Sequence, residues 1–128
     1  MKFTRLNPLT GDVASEAEAM QAADMAAVAA TAQHGFQVWS KMGPNGRRSV
    51  LSKAAEALAA KQDDFVQAMM HETGATAGWA MFNLTLATSM LREAAALTTQ
   101  IGGEVIPSDK PGCLAMAHRE PVGVILGI

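Results

Sequence analysis

The sequence predicts an α/β fold in which three amphipathic helices are followed by a pair of strands. Three observations support this prediction. Apolar side chains recur every three or four residues through most of the first hundred positions, as one face of a helix requires. After Gly102 and Gly103 the pattern becomes strand-like. Residues 122 to 128, "VGVILGI", are all apolar or glycine, which is typical of a strand buried on both faces.

The composition indicates a soluble globular chain. It has 128 residues, of which 49% are apolar and 17% charged, with a net charge of −2. This balance excludes a disordered chain and a basic nucleic-acid-binding one. No apolar stretch approaches the roughly 20 residues of a membrane span, and "MKFTRLNPLTGDV" contains no apolar stretch long enough for a signal peptide. We therefore expect a cytoplasmic protein with neither a nucleic-acid nor a membrane partner.

The first predicted elements are a turn and a helix. The segment "NPLTGDV" is typical of a tight turn, flanked by short apolar runs that could be edge strands. The segment "SEAE" fits a capping box in which the Ser15 hydroxyl accepts from the Glu18 amide and the Glu18 side chain reaches back. The first helix should therefore start near Ser15 and end near Trp39. Its predicted apolar stripe consists of Met25, Val28, Ala32, Phe36 and Trp39.

Two further helices are predicted downstream. The second should begin at Pro44, because proline lacks an amide and the first turn of a helix leaves its amides unpaired in any case. It should end at Gly74, since glycine readily adopts the left-handed conformation that terminates a helix. The third should run from about Ala77 to Gln100. The predicted buried side of the second helix consists of Leu51, Ala55, Leu58, Phe65 and Met69. The predicted stripe of the third consists of Trp79, Phe82, Leu86, Met90 and Leu97.

The last quarter of the chain predicts strands. Apolar and polar side chains alternate with small residues around Met116, which indicates one strand. A turn at Glu120 and Pro121 should then lead into the apolar strand over residues 122 to 128.

The residues alone do not provide a complete active site. Cys113 follows a Pro-Gly turn without an activating base, so a structural cysteine is favoured over a nucleophile. His34, His71 and His118 lack metal-ligand spacing, so no metal site is expected. The loop "GPNGRR" lacks both phosphate-binding glycine spacings, and a helix-starting loop is the better interpretation. The methionine-rich stripes of the predicted helices leave open a different class of function, in which the chain is a self-contained helical interaction module that binds a partner.

Five segments, in order, resemble the N-terminal part of the aldehyde dehydrogenase superfamily. These segments are "NPLTGDV", "FQVWSKMGPNGRRSVLSKAAEAL", "HETGA", "LREAAALTTQIGGEVIPSD" and "REPVGVILGI". In "HETGA", Ala75 stands where the family commonly has lysine. The sequences of the segments "GWAMFN" and "TTQIGGEVIPSDK" are most similar to those of the branch that oxidises aromatic aldehydes such as salicylaldehyde, vanillin or benzaldehyde.

The resemblance implies a reaction and a boundary. A cysteine thiolate attacks an aldehyde, hydride passes to NAD or NADP, and a glutamate-activated water releases the acid. Residues 1–128 would form the N-terminal portion of such a domain, cut before its main cofactor-binding, catalytic and oligomerisation segments. This portion would contain no catalytic residue, bind no cofactor well and be inactive by itself. The intact enzyme would be a homodimer or homotetramer that takes a small aldehyde.

The resemblance also assigns candidate site residues. Residues 122 to 128 would be the first strand of a Rossmann-like cofactor domain, and the backbone of Ile128 would approach the nicotinamide cofactor. The third helix would line the substrate tunnel. Its candidate tunnel residues are Trp79, Phe82, Asn83 and Leu86, and core packing is an equally good explanation for each.

Overall fold

The computed structural model describes residues 2 to 127. Within this range the chain forms four α-helices and two separate two-stranded antiparallel sheets, which confirms the predicted mixture of helix and strand. The helices are α1 (Met25–Ser40), α2 (Pro44–Ala60), α3 (Gln62–Thr73) and α4 (Ala77–Leu97). The strands are β1 (Lys2–Leu6), β2 (Val13–Glu18), β3 (Glu104–Ile106) and β4 (Ala115–Ala117). Among the described helices, none is long and apolar enough to span a membrane.

The predicted turn is present, and it connects two strands that pair as a hairpin. β1 pairs with β2, and the connecting turn is held by the Gly11 amide donating to the Asn7 carbonyl at 2.8 Å. Gly11 has a φ of 80°, a left-handed conformation that favours glycine. The Asn7 side chain also accepts from the Leu9 amide at 2.9 Å, as asparagine commonly does in turns.

The predicted start of the first helix at Ser15 is wrong. Ser15 lies in β2 opposite Arg5, and the pairing with β1 uses the backbone groups that a helix would need. The helical segment instead begins with a 3-10 turn (Ala22–Asp24) that leads into α1. There the Gln21 amide donates to the Asp24 carboxylate at 2.8 Å, so a capping contact forms further along the chain than "SEAE".

The predicted second helix consists of two helices. It begins at Pro44 as expected, but the backbone leaves the helical region at Lys61 with φ −103° and ψ 25°. Asp63 and Asp64 occupy the first turn of α3, where the helix dipole stabilises negative charge and favours a new start. α3 ends as predicted at Gly74, which has a φ of 69°.

Gly74 also lies where the hairpin packs onto the helices. A Cβ at this position would lie 3.0 Å from the Pro8 ring, so the absence of a side chain permits close approach. The Arg5 guanidinium pairs with the Glu72 carboxylate at 3.1 Å beside it. The hairpin is therefore fixed against the C-terminal end of α3.

The described core lies where α4 packs against α2 and α3. Its buried residues are mostly small: Ala55, Val66, Ala80, Leu84, Thr88, Ala95 and Thr98. Ala55 of α2 confirms part of the predicted buried side of the second helix, whereas Phe65 of that predicted side lies in α3 and is exposed. α1 contributes no buried residue, and only Ala32 and Phe36 of its predicted stripe are half-buried.

The C-terminal strands differ from the prediction. β4 forms around Met116 as expected, but its partner is β3, with Val105 opposite Met116. Residues 122 to 127 pair with no strand in the described range, and Val122 and Leu126 are 85% and 83% exposed. The strand predicted there is therefore not formed over residues 122 to 127, because a strand needs a partner for its backbone groups. Ile128 lies outside the described residues.

Candidate functional site

The outer face of α4, defined here as Trp79, Phe82, Asn83, Leu86 and Met90, is the candidate site. Spacings of three and four residues place these side chains within an arc of about 100° around the helix. α4 begins after Thr76, whose hydroxyl accepts from the Trp79 amide at 3.3 Å. This N-cap fixes where the first turn begins, and with it the direction of Trp79.

The predicted stripe of α4 is not the buried side of this helix. Trp79 and Phe82 are 56% and 52% exposed, and the other large apolar side chains of the outer face are also exposed. Ala80, Leu84 and Thr88 are buried instead, because their small or compact side chains allow α4 to approach α2 and α3 closely. The bulky side chains are therefore turned away from the described core.

The two aromatic side chains of the outer face stack on each other. Their ring centroids are 5.3 Å apart, with 26° between the planes. Stacked rings of this kind present a broad apolar surface and favour contact with other aromatic rings. Such a surface is suited to a small planar apolar ligand.

Asn83 adds a polar group to this apolar face. Its side-chain amide nitrogen donates to the Trp79 backbone carbonyl at 2.9 Å. A carbonyl oxygen only accepts, so this contact determines which half of the amide faces Trp79. The other half, Oδ1, has no hydrogen-bond partner among the described residues, and Asn83 is half-buried.

Arg48 of α2 anchors the far end of α4. Its guanidinium donates to the Ala95 carbonyl at 3.3 Å, the Ala96 carbonyl at 3.5 Å and the Thr99 hydroxyl at 3.0 Å. Cations at a helix C-terminus are favourable because the helix dipole is negative there and the last carbonyls lack the regular bond from an amide four residues on. Sequence reasoning missed both Arg48 and Thr76. A threonine three residues before Trp79 is a readable N-cap signal, whereas nothing in the sequence links Arg48 to residues so distant.

The other candidate residues are not brought together. Cys113 is exposed in the connection between β3 and β4, where its amide donates to the Lys110 carbonyl at 3.2 Å. His118 Nε2 lies 2.8 Å from Glu120 Oε1, and both side chains are exposed. Residues 2 to 127 contain no cluster of three side chains suited to a metal ion. In "GPNGRR", Arg47 Nη1 donates to the Met42 carbonyl at 2.7 Å, as expected of a loop that starts a helix.

The sequence matches the aldehyde dehydrogenase family over residues 1–128. This chain belongs to the aldehyde dehydrogenase family. It is 53% identical over 126 residues to a vanillin dehydrogenase of Pseudomonas fluorescens, a match that covers 98% of this chain and 26% of that protein. The family assignment confirms the resemblance seen in the five segments. It does not support the alternative of a self-contained interaction module.

Solved structures place the fold in the same family. A salicylaldehyde dehydrogenase from Pseudomonas putida G7, complexed with salicylaldehyde, superposes with a TM-score of 0.91 at 39% identity, covering 96% of this chain and 25% of that one. An NAD-dependent benzaldehyde dehydrogenase from Corynebacterium glutamicum gives a TM-score of 0.80 at 27% identity, covering 88% and 24%. The chain thus spans about a quarter of the length of the relatives it matches.

Proposed function

We propose that this chain is the N-terminal part of an NAD(P)-dependent aldehyde dehydrogenase that oxidises aromatic aldehydes to carboxylic acids. The observation that carries the proposal is the 53% identity to a vanillin dehydrogenase over nearly the whole chain. Similarity to a salicylaldehyde dehydrogenase in complex with its aldehyde supports the same substrate class.

The outer face of α4 is the part of this chain proposed to line the substrate tunnel. Its tunnel residues are Trp79, Phe82, Asn83 and Leu86. The stacked pair of Trp79 and Phe82 supports this role, because contact between these exposed rings and the ring of a substrate is energetically favourable. In the reaction these side chains bind and orient the ring and keep water from one side of it.

The chemical step is assigned to residues other than those described. The aldehyde carbon loses a hydride, and water supplies the second oxygen of the acid. Cys113 is exposed, and no side chain of the described residues forms a hydrogen bond with its thiol. It therefore has no assigned role in the attack on the aldehyde.

NAD(P), when bound, supplies the hydride acceptor of the intact enzyme. The similarity to an NAD-dependent benzaldehyde dehydrogenase supports its use. Residues 122 to 127 carry no charged side chain and are mostly exposed without a strand partner. The described residues do not by themselves fit a dinucleotide site, so no cofactor step is assigned to them. Ile128, proposed to approach the nicotinamide, lies outside the described range.

The intact enzyme is also proposed to be a homodimer or homotetramer located in the cytoplasm. The sheet of β3 and β4 supports self-association. Its two strands are short and their outer edges are unpaired among the described residues, so they could pair with another subunit. Val105 and Met116 in this sheet are 71% and 63% exposed and would be covered by that contact. Light scattering of the full-length protein should give a dimeric or tetrameric mass, and a monomer would contradict this part of the proposal.

The activity is tested with the full-length protein that contains this chain. NADH or NADPH formation should be fastest with benzaldehyde, vanillin or salicylaldehyde and much slower with an aliphatic aldehyde such as hexanal. The 128-residue chain alone should give no turnover. An enzyme that oxidises hexanal well and no aromatic aldehyde would overturn the substrate assignment.

The tunnel assignment is tested by a matched pair of variants. Trp79→Ala should raise the KM for benzaldehyde by about tenfold. This is the loss of affinity expected when one aromatic contact and the apolar area it buries are removed. Met81→Ala serves as the control, because Met81 lies on α4 outside the outer face. An unchanged KM in Trp79→Ala would contradict a tunnel on this face.

A further inference from the structure

We infer that Asn83 determines a preference for aromatic aldehydes that carry a ring hydroxyl, because its side-chain oxygen accepts a hydrogen bond from that hydroxyl. This inference rests on the proposed function and assigns a specificity role to one residue of the same face. Asn83 is the one residue of the outer face with an amide, and the other four members are apolar or aromatic.

The placement of Asn83 on α4 is the first step. At about 100° per residue, Asn83 lies at one edge of the outer face, and the buried arc that begins at Ala80 starts about 60° beyond it. This position explains why Asn83 is half-buried while Trp79 and Phe82 are exposed. A ring lying on the stacked pair would therefore present an edge substituent toward Asn83.

The hydrogen bonding of Asn83 is the second step. The contact of its amide nitrogen with the Trp79 carbonyl restrains the side chain and fixes the orientation of the amide plane. Oδ1 is left as an acceptor without a partner among the described residues. Asparagine is also a poor residue for a helix interior, so local helix stability does not account for its presence among exposed apolar side chains.

The chemical consequence is discrimination between substrates. A bound ring removes water from Oδ1. A hydroxyl on the ring replaces that water with a hydrogen bond, whereas an unsubstituted ring leaves the acceptor unpaired. Sites built in this way disfavour analogues that lack the donor. A methoxy group fills similar space but has no donor, so it should be treated like the unsubstituted ring.

The experiment compares substrates in the full-length protein. The ratio of kcat/KM for 4-hydroxybenzaldehyde to that for benzaldehyde is measured in wild type and in Asn83→Leu, and again with 3-hydroxybenzaldehyde and with the methoxy analogues. The pH is kept below the pKa of each phenol so that the hydroxyl carries its proton. The amount of folded enzyme cancels in the ratio, so partial unfolding of the variant does not affect the result.

We expect the preference for at least one hydroxylated aldehyde over benzaldehyde and its methoxy analogue to fall by about tenfold in Asn83→Leu. Thr85→Val is the matched control. Its hydroxyl donates to the Met81 carbonyl at 2.9 Å, the same kind of bond to the preceding turn, but Thr85 lies outside the outer face. Thr85→Val should leave every ratio within about twofold of wild type.

The possible results separate this inference from the proposed function. Oxidation of aromatic aldehydes with the same ratios in wild type and Asn83→Leu would overturn the role of Asn83 and leave the proposed function standing. An equal fall of the ratio in Thr85→Val would also overturn it, since the effect would then belong to the helix. A full-length protein that oxidises no aromatic aldehyde would overturn both.

Discussion

At the scale of single residues, Gly102 and Gly103 are neighbours with different surroundings. A Cβ at Gly103 would overlap the backbone carbonyl oxygen of Ala117 and lie 3.2 Å from the His118 Cα. A Cβ at Gly102 would meet nothing within 4 Å. Because the atoms beside Gly103 are backbone atoms, they can move away only if the pairing of β3 with β4 shifts.

Gly103→Ala should therefore destabilise the full-length protein by about 2 kcal/mol, the usual cost of forcing a side chain into occupied space. Gly102→Ala should change the free energy of unfolding by less than about 0.5 kcal/mol. Chemical denaturation of the two variants beside wild type measures both values. Equal free energies of unfolding for the two alanine variants would show that the close approach at Gly103 does not affect stability.

Cys113 provides a second residue-scale prediction, in this case for activity. Its thiol is exposed, and its backbone belongs to a turn. Cys113→Ser should leave kcat of the full-length enzyme within about twofold of wild type, since a serine fits the same exposed turn position. Covalent trapping of the aldehyde by Cys113, seen by mass spectrometry of the intact protein, would contradict this prediction.

At the scale of the helices, α4 depends on contacts made at its end by Arg48 of α2. Arg48→Met removes three hydrogen bonds at the C-terminus of α4 and keeps most of the side-chain volume. We expect a loss of about 1–2 kcal/mol in unfolding free energy, because hydrogen bonds from a charged donor are stronger than neutral ones and a cation is favourable at a helix C-terminus.

The control for Arg48 is Lys53→Met, which changes an exposed cation of the same helix. Its effect should stay within about 0.5 kcal/mol. Amide hydrogen exchange adds a local measurement, in which the last turn of α4 should exchange faster in Arg48→Met alone. Uniform loss of protection over the whole protein would indicate that Arg48 does not act at this end.

The helices also show how far their sequences determine the fold. The ends at Pro44 and Gly74 were predictable because both depend on the backbone chemistry of a single residue. The capping box at "SEAE" was a wrong prediction, because pairing with β1, a contact distant in sequence, competes with the local signal. The strand expected over residues 122 to 128 also depends on a distant contact, and residues 122 to 127 form no strand because no described strand lies beside them.

Periodicity alone could not choose the buried face of α4. The bulky stripe through Trp79 and Phe82 and the smaller one through Ala80 and Leu84 both follow helical spacing. Packing against α2 and α3 selected the smaller one. The bulky stripe therefore stays exposed, and the assignment of Trp79, Phe82 and Leu86 to a substrate tunnel, which came from the family resemblance, remains a prediction. The bond between Asn83 and Trp79 follows from their separation of four residues, but the free acceptor on Asn83 required a structure.

At the scale of the whole molecule, the surface is large for the mass of the chain. Its solvent-accessible area is 9976 Å² for 13.4 kDa. A compact monomeric protein of this mass exposes about 6,500 Å². The excess of about 3,500 Å² exceeds the area that one partner usually contributes to a permanent interface, which is about 1,000–2,500 Å². Much of the exposed surface is apolar, including the outer face of α4 and residues 122 to 126.

The excess area leads to a prediction for the 128-residue chain in isolation. Apolar surface of this extent gains free energy when it is covered, and without other protein to cover it the chain should associate with itself or bind hydrophobic dyes. We expect strong fluorescence of a dye such as anilinonaphthalene sulfonate, a mass above that of a monomer in light scattering, and a broad thermal transition. The full-length protein should show weak dye binding and a sharp transition under the same conditions. A sharp transition from a dye-free monomer of 128 residues would show that the helices pack more compactly in solution than the exposed outer face of α4 indicates. The proposed tunnel surface would then have to be covered by this chain itself.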